Sequence, residues 1–153
     1  METLERILHE HPFFADLDEG FCKLACGCAK NVRFEAGQYI FHEGEPADQL
    51  YLVRQGRIAL QISAPGRSAA TFLTLGAGEV FGVTWLVPPY QWTYDAKALE
   101  LTRAIAIDAA CLRNKCEADH DLGYELSKRL MAVLIERLHS TRMQMLDIYG
   151  SHV

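Results

Sequence analysis

No apolar run in this sequence approaches the roughly 20 residues that a membrane-spanning helix needs. Its first residues, METLERILHEHPFF, are acidic and amphipathic and lack a secretory signal pattern. The expected location is therefore the cytoplasm. Basic residues are too few to dominate: 15 Lys and Arg against 20 Asp and Glu leave a formal charge of −5. No basic stripe marks a nucleic-acid footprint. There is no internal repeat and no low-complexity segment. A chain that is 50% apolar and 23% charged falls outside the compositions that stay disordered.

Catalytic signatures are missing as well. There is no G-x-S-x-G, no Walker loop and no paired catalytic motif, so no enzyme activity is expected. The six histidines show no metal-ligand spacing, and His42 in FHEGE reads as a strand-end surface residue. Cysteine is present but odd in number: Cys22, Cys26, Cys28, Cys111 and Cys116. Without a secretory signal, an odd count argues against a disulfide framework. The spacing C-x3-C-x-C is neither that of a zinc site nor that of a common iron–sulfur site. Cys22, Cys26 and Cys28 therefore read as small core side chains. Cys111 and Cys116 read the same way, since five residues is not one helical turn. No metal and no cofactor are expected.

What is present has the form of a single domain over residues 1–153: a helical start (1–30), a strand-rich middle (31–107) and C-terminal helices (108–150). Thr3 to His9 predicts a short helix with Leu4, Ile7 and Leu8 on one face, ended by Pro12. Phe21, Leu24, Ala25 and Cys28 predict a second helix over about 18–30. From Asn31 the period changes to two, as in Ile58, Leu60 and Ile62, with Gly and Pro breaking the run into short strands. Two more strands are expected near 94–99 and 101–107. Asp108 is a good N-cap for AACLRNKCEA, and Asp121 for a long helix over about 122–149, stopped by Gly150. Along that helix Leu130, Leu134, Leu138, Thr141, Met145 and Ile148 recur at steps of three and four. Such a seam predicts a homodimer through the last helix. The expected fold is mainly β with flanking helices: an antiparallel, jelly-roll-like β-roll.

An ordered set of residues carries a resemblance. Phe34, Gly37, Ile40, Gly44, Ala47–Asp48, Tyr51 and Gly56 are followed by GAGEVFG, Gly76 to Gly82. In this order they resemble the cyclic-nucleotide-binding effector domain of the Crp/Fnr regulators, over about residues 12 to 149. In that family Phe-Gly-Glu opens a short helix whose amides face the cyclic phosphate. The Glu takes the ribose hydroxyl, and an Arg further along pairs with the phosphate. This sequence departs at both places, with Val83 after Gly82 and Trp92 at the Arg position, followed by Thr93 and Tyr94. The resemblance implies that any ligand meets Gly82, Val83, Thr84, Trp85, Trp92 and Thr93. Three readings stay open for this aromatic stretch. It binds a small molecule other than an ordinary cyclic nucleotide; or its side chains fill the cavity of a ligand-free dimerisation or adaptor module; or backbone amides with Thr84 or Thr93 still hold a cyclic nucleotide. Crp/Fnr regulators place a helix-turn-helix after the long helix, whereas only SHV follows Gly150 here. No direct DNA binding is expected, and any role in transcription would need a separate protein partner.

Overall fold

The computed structural model describes residues 3–63 and 65–150. Helix α1 spans Leu4–Glu10, capped by Thr3, whose hydroxyl accepts the Arg6 N–H. A 3₁₀ turn over Pro12–Phe14 leads to α2, Glu19–Cys26. Eight strands follow: β1 (Ala29–Phe34), β2 (Tyr39–Phe41), β3 (Gln49–Gln55), β4 (Ile58–Ile62), β5 (Ala70–Leu75), β6 (Val80–Phe81), β7 (Asp95–Ala98) and β8 (Thr102–Asp108). Helices α3 (Ala109–Ala118) and α4 (His120–Gly150) follow the strands.

The strands form two antiparallel sheets, in the orders β1-β8-β3-β6 and β2-β7-β4-β5. The central strands of the first sheet, β3 and β8, are buried on both faces over most of their length, and their alternation divides the core in two. On β3, Leu50 and Leu52 face a helical layer that includes Leu8, Phe14, Leu112 and Leu126. Tyr51 and Val53, one step out of phase, face the barrel interior with Phe41, Ile58, Leu60 and Phe81. Strand β8 repeats this, with Ile105 and Ile107 under the helices and Ala106 inside the barrel. The antiparallel β-roll with flanking helices is the architecture that the sequence predicts.

Several local expectations are corrected. Helix α2 ends at Cys26 instead of about Lys30, because Ala29 and Lys30 pair with Ile107 and Ala106 of β8. Sheet pairing, a tertiary contact, overrides the helical stripe. The N-cap of α4 is Asp119, not Asp121: its carboxylate accepts the amides of Asp121 and Leu122 at 3.1 and 3.2 Å. Cys28 and Cys111 form a disulfide, contrary to the expectation of no bridge. The fold brings the start of β1 beside the first turn of α3, with Cα atoms 5.7 Å apart across 83 residues of sequence. Cys22 and Cys116 are buried free thiols, as their reading as core residues requires, and Cys26 is half-buried. Gly150 is the last described residue of α4, and the residues proposed to follow it lie outside the described ones.

Helix α4 has 31 residues, a length of about 46 Å at 1.5 Å per residue. Only its first part is core: Leu122, Leu126 and Leu130 are buried. Further along, side chains tie it to the barrel. Arg137 donates to the Val80 carbonyl, and Gln144 donates to the Phe72 carbonyl at 3.1 Å.

Candidate functional site

The candidate site lies where β6 ends. Gly82 takes φ +82° and ψ 43°, a left-handed conformation that glycine adopts without steric cost. It has a second reason to lack a side chain, since an added Cβ would stand 2.8 Å from the Trp92 ring and 3.0 Å from the Gln49 carbonyl. The chain then makes a 3₁₀ turn over Val83–Leu86. It returns through Val87–Thr93, with a cis bond between Pro88 and Pro89. This return strand is pinned to residues 44–47. The amides of Gly44 and Ala47 donate to the carbonyls of Trp92 and Tyr90, and the Trp92 amide donates to Glu45, all at 2.7–2.9 Å. Thr84 closes the base of the loop with a 3.0 Å bond from its hydroxyl to the Gln91 carbonyl.

This backbone aims Trp92 into the barrel. Its indole lies flat on Phe41, with centroids 3.9 Å apart and planes inclined by 11°, and only 3% of the residue is exposed. Behind it Tyr51 stacks on Phe81 at 4.7 Å, and Tyr94 leans on Phe41 at 5.8 Å. The Tyr94 hydroxyl accepts the Gly82 N–H at 3.3 Å. Burial pushes the Tyr94 phenol above its ordinary value. The Gly82 amide, the Arg137 charge and the Val83 amide act in the opposite direction. Burial likewise lowers Arg137 from the ordinary arginine value, opposed by Tyr94, Glu79 and Glu136. A cavity of about 160 Å³ remains between α4 and the β5–β6 rim, lined in part by Leu73, Leu75, Val80, Val133 and Arg137.

The six residues put forward from sequence separate in space. Gly82 and Trp92 meet directly, and Val83 follows in the 3₁₀ turn. Thr84 and Thr93 line a groove of about 390 Å³ along the loop, with Pro88, Pro89 and an edge of Trp92. Trp85 does not share the barrel interior with Trp92. It is fully buried in the helical core, because the 3₁₀ turn rotates it to the other side of the first sheet. The Arg113 guanidinium lies 4.2 Å from the Tyr90 ring centre and donates to the Trp85 carbonyl, fastening the loop to α3. Tyr94 and Arg137 were not put forward as site residues. In the sequence Tyr94 stands out only as a replacement in the motif, and Arg137 sits in the mostly apolar run LMAVLIERL. Among the described residues no group of His, Cys, Asp and Glu could hold a metal ion. No described helix is long and apolar enough to cross a membrane.

The model of the cyclic nucleotide-binding domain matches residues 31–119. The chain belongs to that family. A curated relative is the CRP-like cAMP-activated global transcriptional regulator of Mycobacterium tuberculosis, 31% identical over 122 residues, covering 80% of this chain and 53% of the regulator. The chain thus spans about half the length of that relative. Cyclic nucleotide-gated ion channel 18 of Arabidopsis thaliana is 28% identical, over 92% of this chain and 19% of the channel. Among solved structures, a protein of Geobacter metallireducens described as cyclic nucleotide-binding superposes with a TM-score of 0.80 and 32% identity. It covers 91% of this chain and 100% of its own. The catabolite activator protein of Thermus thermophilus gives a TM-score of 0.70 at 26% identity, over 91% and 63% of the two chains. A cyclic nucleotide-binding domain on a β-roll with a long C-terminal helix is thus the setting of the aromatic cluster.

Proposed function

We propose that this regulatory domain closes its nucleotide cavity with its own side chains and works as a ligand-independent dimerisation module. The observation that carries the reading is the seat of Trp92, flat on Phe41 and in contact with Gly82 at the place where the family binds its phosphate. Tyr94 occupies the Gly82 amide that an anion would otherwise use. The cavity left between α4 and the β5–β6 rim, about 160 Å³, falls below the roughly 300 Å³ at which ordinary ligand pockets begin. The charged partners are also replaced, by Val83 and Trp92. Removing the Arg from a buried phosphate pair costs about 3 kcal/mol or more, on the order of a hundredfold in affinity.

Calorimetric titration with cAMP and cGMP tests this, with no binding expected in the micromolar range. Low-micromolar binding of either overturns it. A paired variant, Trp92→Arg with Val83→Glu, restores both charged groups. A gain of binding would show that Trp92 itself occupied the nucleotide's place.

Dimerisation rests on the outer face of α4. Leu134, Leu138, Met145 and Ile148 are 49–61% exposed, and Thr141 lies between them at the same spacing. Leu130, put forward with them, packs in its own helical core instead. An unbroken heptad seam of this kind fits a second copy of the chain. One observation favours a second reading, in which the domain senses a small molecule: the cavity beside Arg137 combines the apolar Leu73, Leu75, Val80 and Val133 with polar groups of Arg137, Glu79, Glu136 and Ser140. A thermal-shift screen decides between them, since a ligand of that cavity raises the unfolding midpoint by mass action.

A further inference from the structure

The helical layer stops short of one end of the first sheet. Beneath the helices lie Leu52 of β3 and Ile105 of β8. Two residues from Ile105, on the same outward face, stands Arg103; Arg54 falls at the register shift of β3 between Val53 and Gln55, and its side chain reaches Asn31 of β1 and lines the same hollow. On β1 the matching position is Arg33, directly opposite Arg103 in register. The order β1-β8-β3 makes the three strands neighbours. At about 4.8 Å per strand step, three guanidinium groups fall within reach of one another. Together with Asn31 and Val32 they line a hollow of about 320 Å³.

Like charges placed directly opposite on antiparallel strands destabilise the sheet. Little in the fold relieves them. Arg33 shares an exposed 3.0 Å ion pair with Glu35, and Arg54 donates to the Asn31 side chain at 3.2 Å. The Arg103 side chain has no hydrogen bond or ion pair among the described residues. This concentration of positive charge sits in a chain of formal charge −5. Guanidinium forks match phosphate oxygens two at a time, which a lysine cluster does not.

We propose that this hollow binds a polyphosphate group, carried by a nucleoside triphosphate or by inorganic polyphosphate. The compact, concave arrangement suits one multiply charged group better than the spread carboxylates of an acidic peptide. The site faces away from the barrel interior, so it is independent of Trp92 and of the nucleotide cavity.

The test is calorimetric titration of the full chain with inorganic tripolyphosphate and, separately, with ATP. Circular dichroism confirms that each variant is folded. Arg103→Gln should weaken tripolyphosphate binding at least tenfold and the pair Arg33→Gln with Arg103→Gln further, whereas Arg67→Gln, outside the hollow, should leave it unchanged. Equal affinities for the two probes assign recognition to the phosphate chain alone; a tenfold preference for ATP assigns it to a nucleotide. Absence of binding to both probes at millimolar concentration overturns the proposal. So does an equal loss in Arg67→Gln, or binding of a glutamate-rich peptide without binding of either phosphate probe.

Discussion

Replacing Trp92 by alanine asks whether the indole is part of the core or the wall of an open pocket. At 3% exposure, stacked on Phe41 and touching Gly82, it belongs to the core. Truncating a buried aromatic to alanine costs about 3–5 kcal/mol, the lost transfer energy plus the cavity left behind. For a domain of this size each kcal/mol lowers the unfolding midpoint by about 2–4 °C. Differential scanning calorimetry of Trp92→Ala should therefore show a fall of about 6–20 °C with the fold retained. The hole would be apolar, and apolar cavities of this kind bind aromatic molecules. Indole at about ten times its dissociation constant should then restore about 1.4 kcal/mol by mass action, with no effect on the parent protein. An indole lining an open pocket behaves as a surface side chain, for which substitutions stay within about 0.5 kcal/mol. A midpoint change below about 2 °C, or indole stabilising parent and variant alike, would refute the closed-cavity reasoning.

Four further outcomes are expected. Gly82→Ala should lose at least about 1 kcal/mol in urea unfolding, because its φ of +82° is unfavourable for an L side chain and its Cβ would meet Trp92 at 2.8 Å. His11 is buried with both ring nitrogens engaged, bonded to the Val53 carbonyl at 3.0 Å and the Phe13 amide at 3.1 Å. Burial lowers its pKa from 6.5, the Val53 bond opposing, so its contribution to stability is present above pH 6.5 and is lost as pH falls through the lower folded value; the parent should lose more stability on acidification than His11→Gln does. Light scattering should give a dimer mass for the parent at micromolar concentration and a monomer or aggregate for Leu134→Glu with Leu138→Glu, which places unpaired charges in the seam. Peptide mapping without reductant should recover Cys28 linked to Cys111, and Cys28→Ser should destabilise, with about 4–5 kcal/mol as the chain-entropy value for a closed loop of this size.

Periodicity and turn chemistry determined the class of fold by themselves. Alternation at Ile58 and Leu60, with glycines at the turns, predicts a strand, and both side chains are buried. The expected single buried face is corrected beyond them: Ile62 is 52% exposed while Ala59 and Gln61 are buried, the register of β4 with β5 shifting between Leu60 and Gln61. The positive φ of Gly37, Gly44, Gly56, Gly78 and Gly82 agrees with turns read from sequence. Asp108 capping α3 is equally local, since an N-cap needs only its own next residues. That Val83 and Trp92 stand at the family's Glu and Arg positions is a reading of the sequence motif and rests on the resemblance. Tertiary structure decided which side of the sheet each aromatic of the stretch enters. Trp85 and Trp92 are seven positions apart, yet the 3₁₀ turn and the return loop send one into the helical core and the other into the barrel. No period describes an irregular loop, so its side-chain directions follow from bonds to residues 44–47. The same holds for Cys28 with Cys111, for Arg137 over the barrel mouth, and for the three arginines on neighbouring strands. Each grouping joins residues far apart in the chain, and strand order and register bring them together.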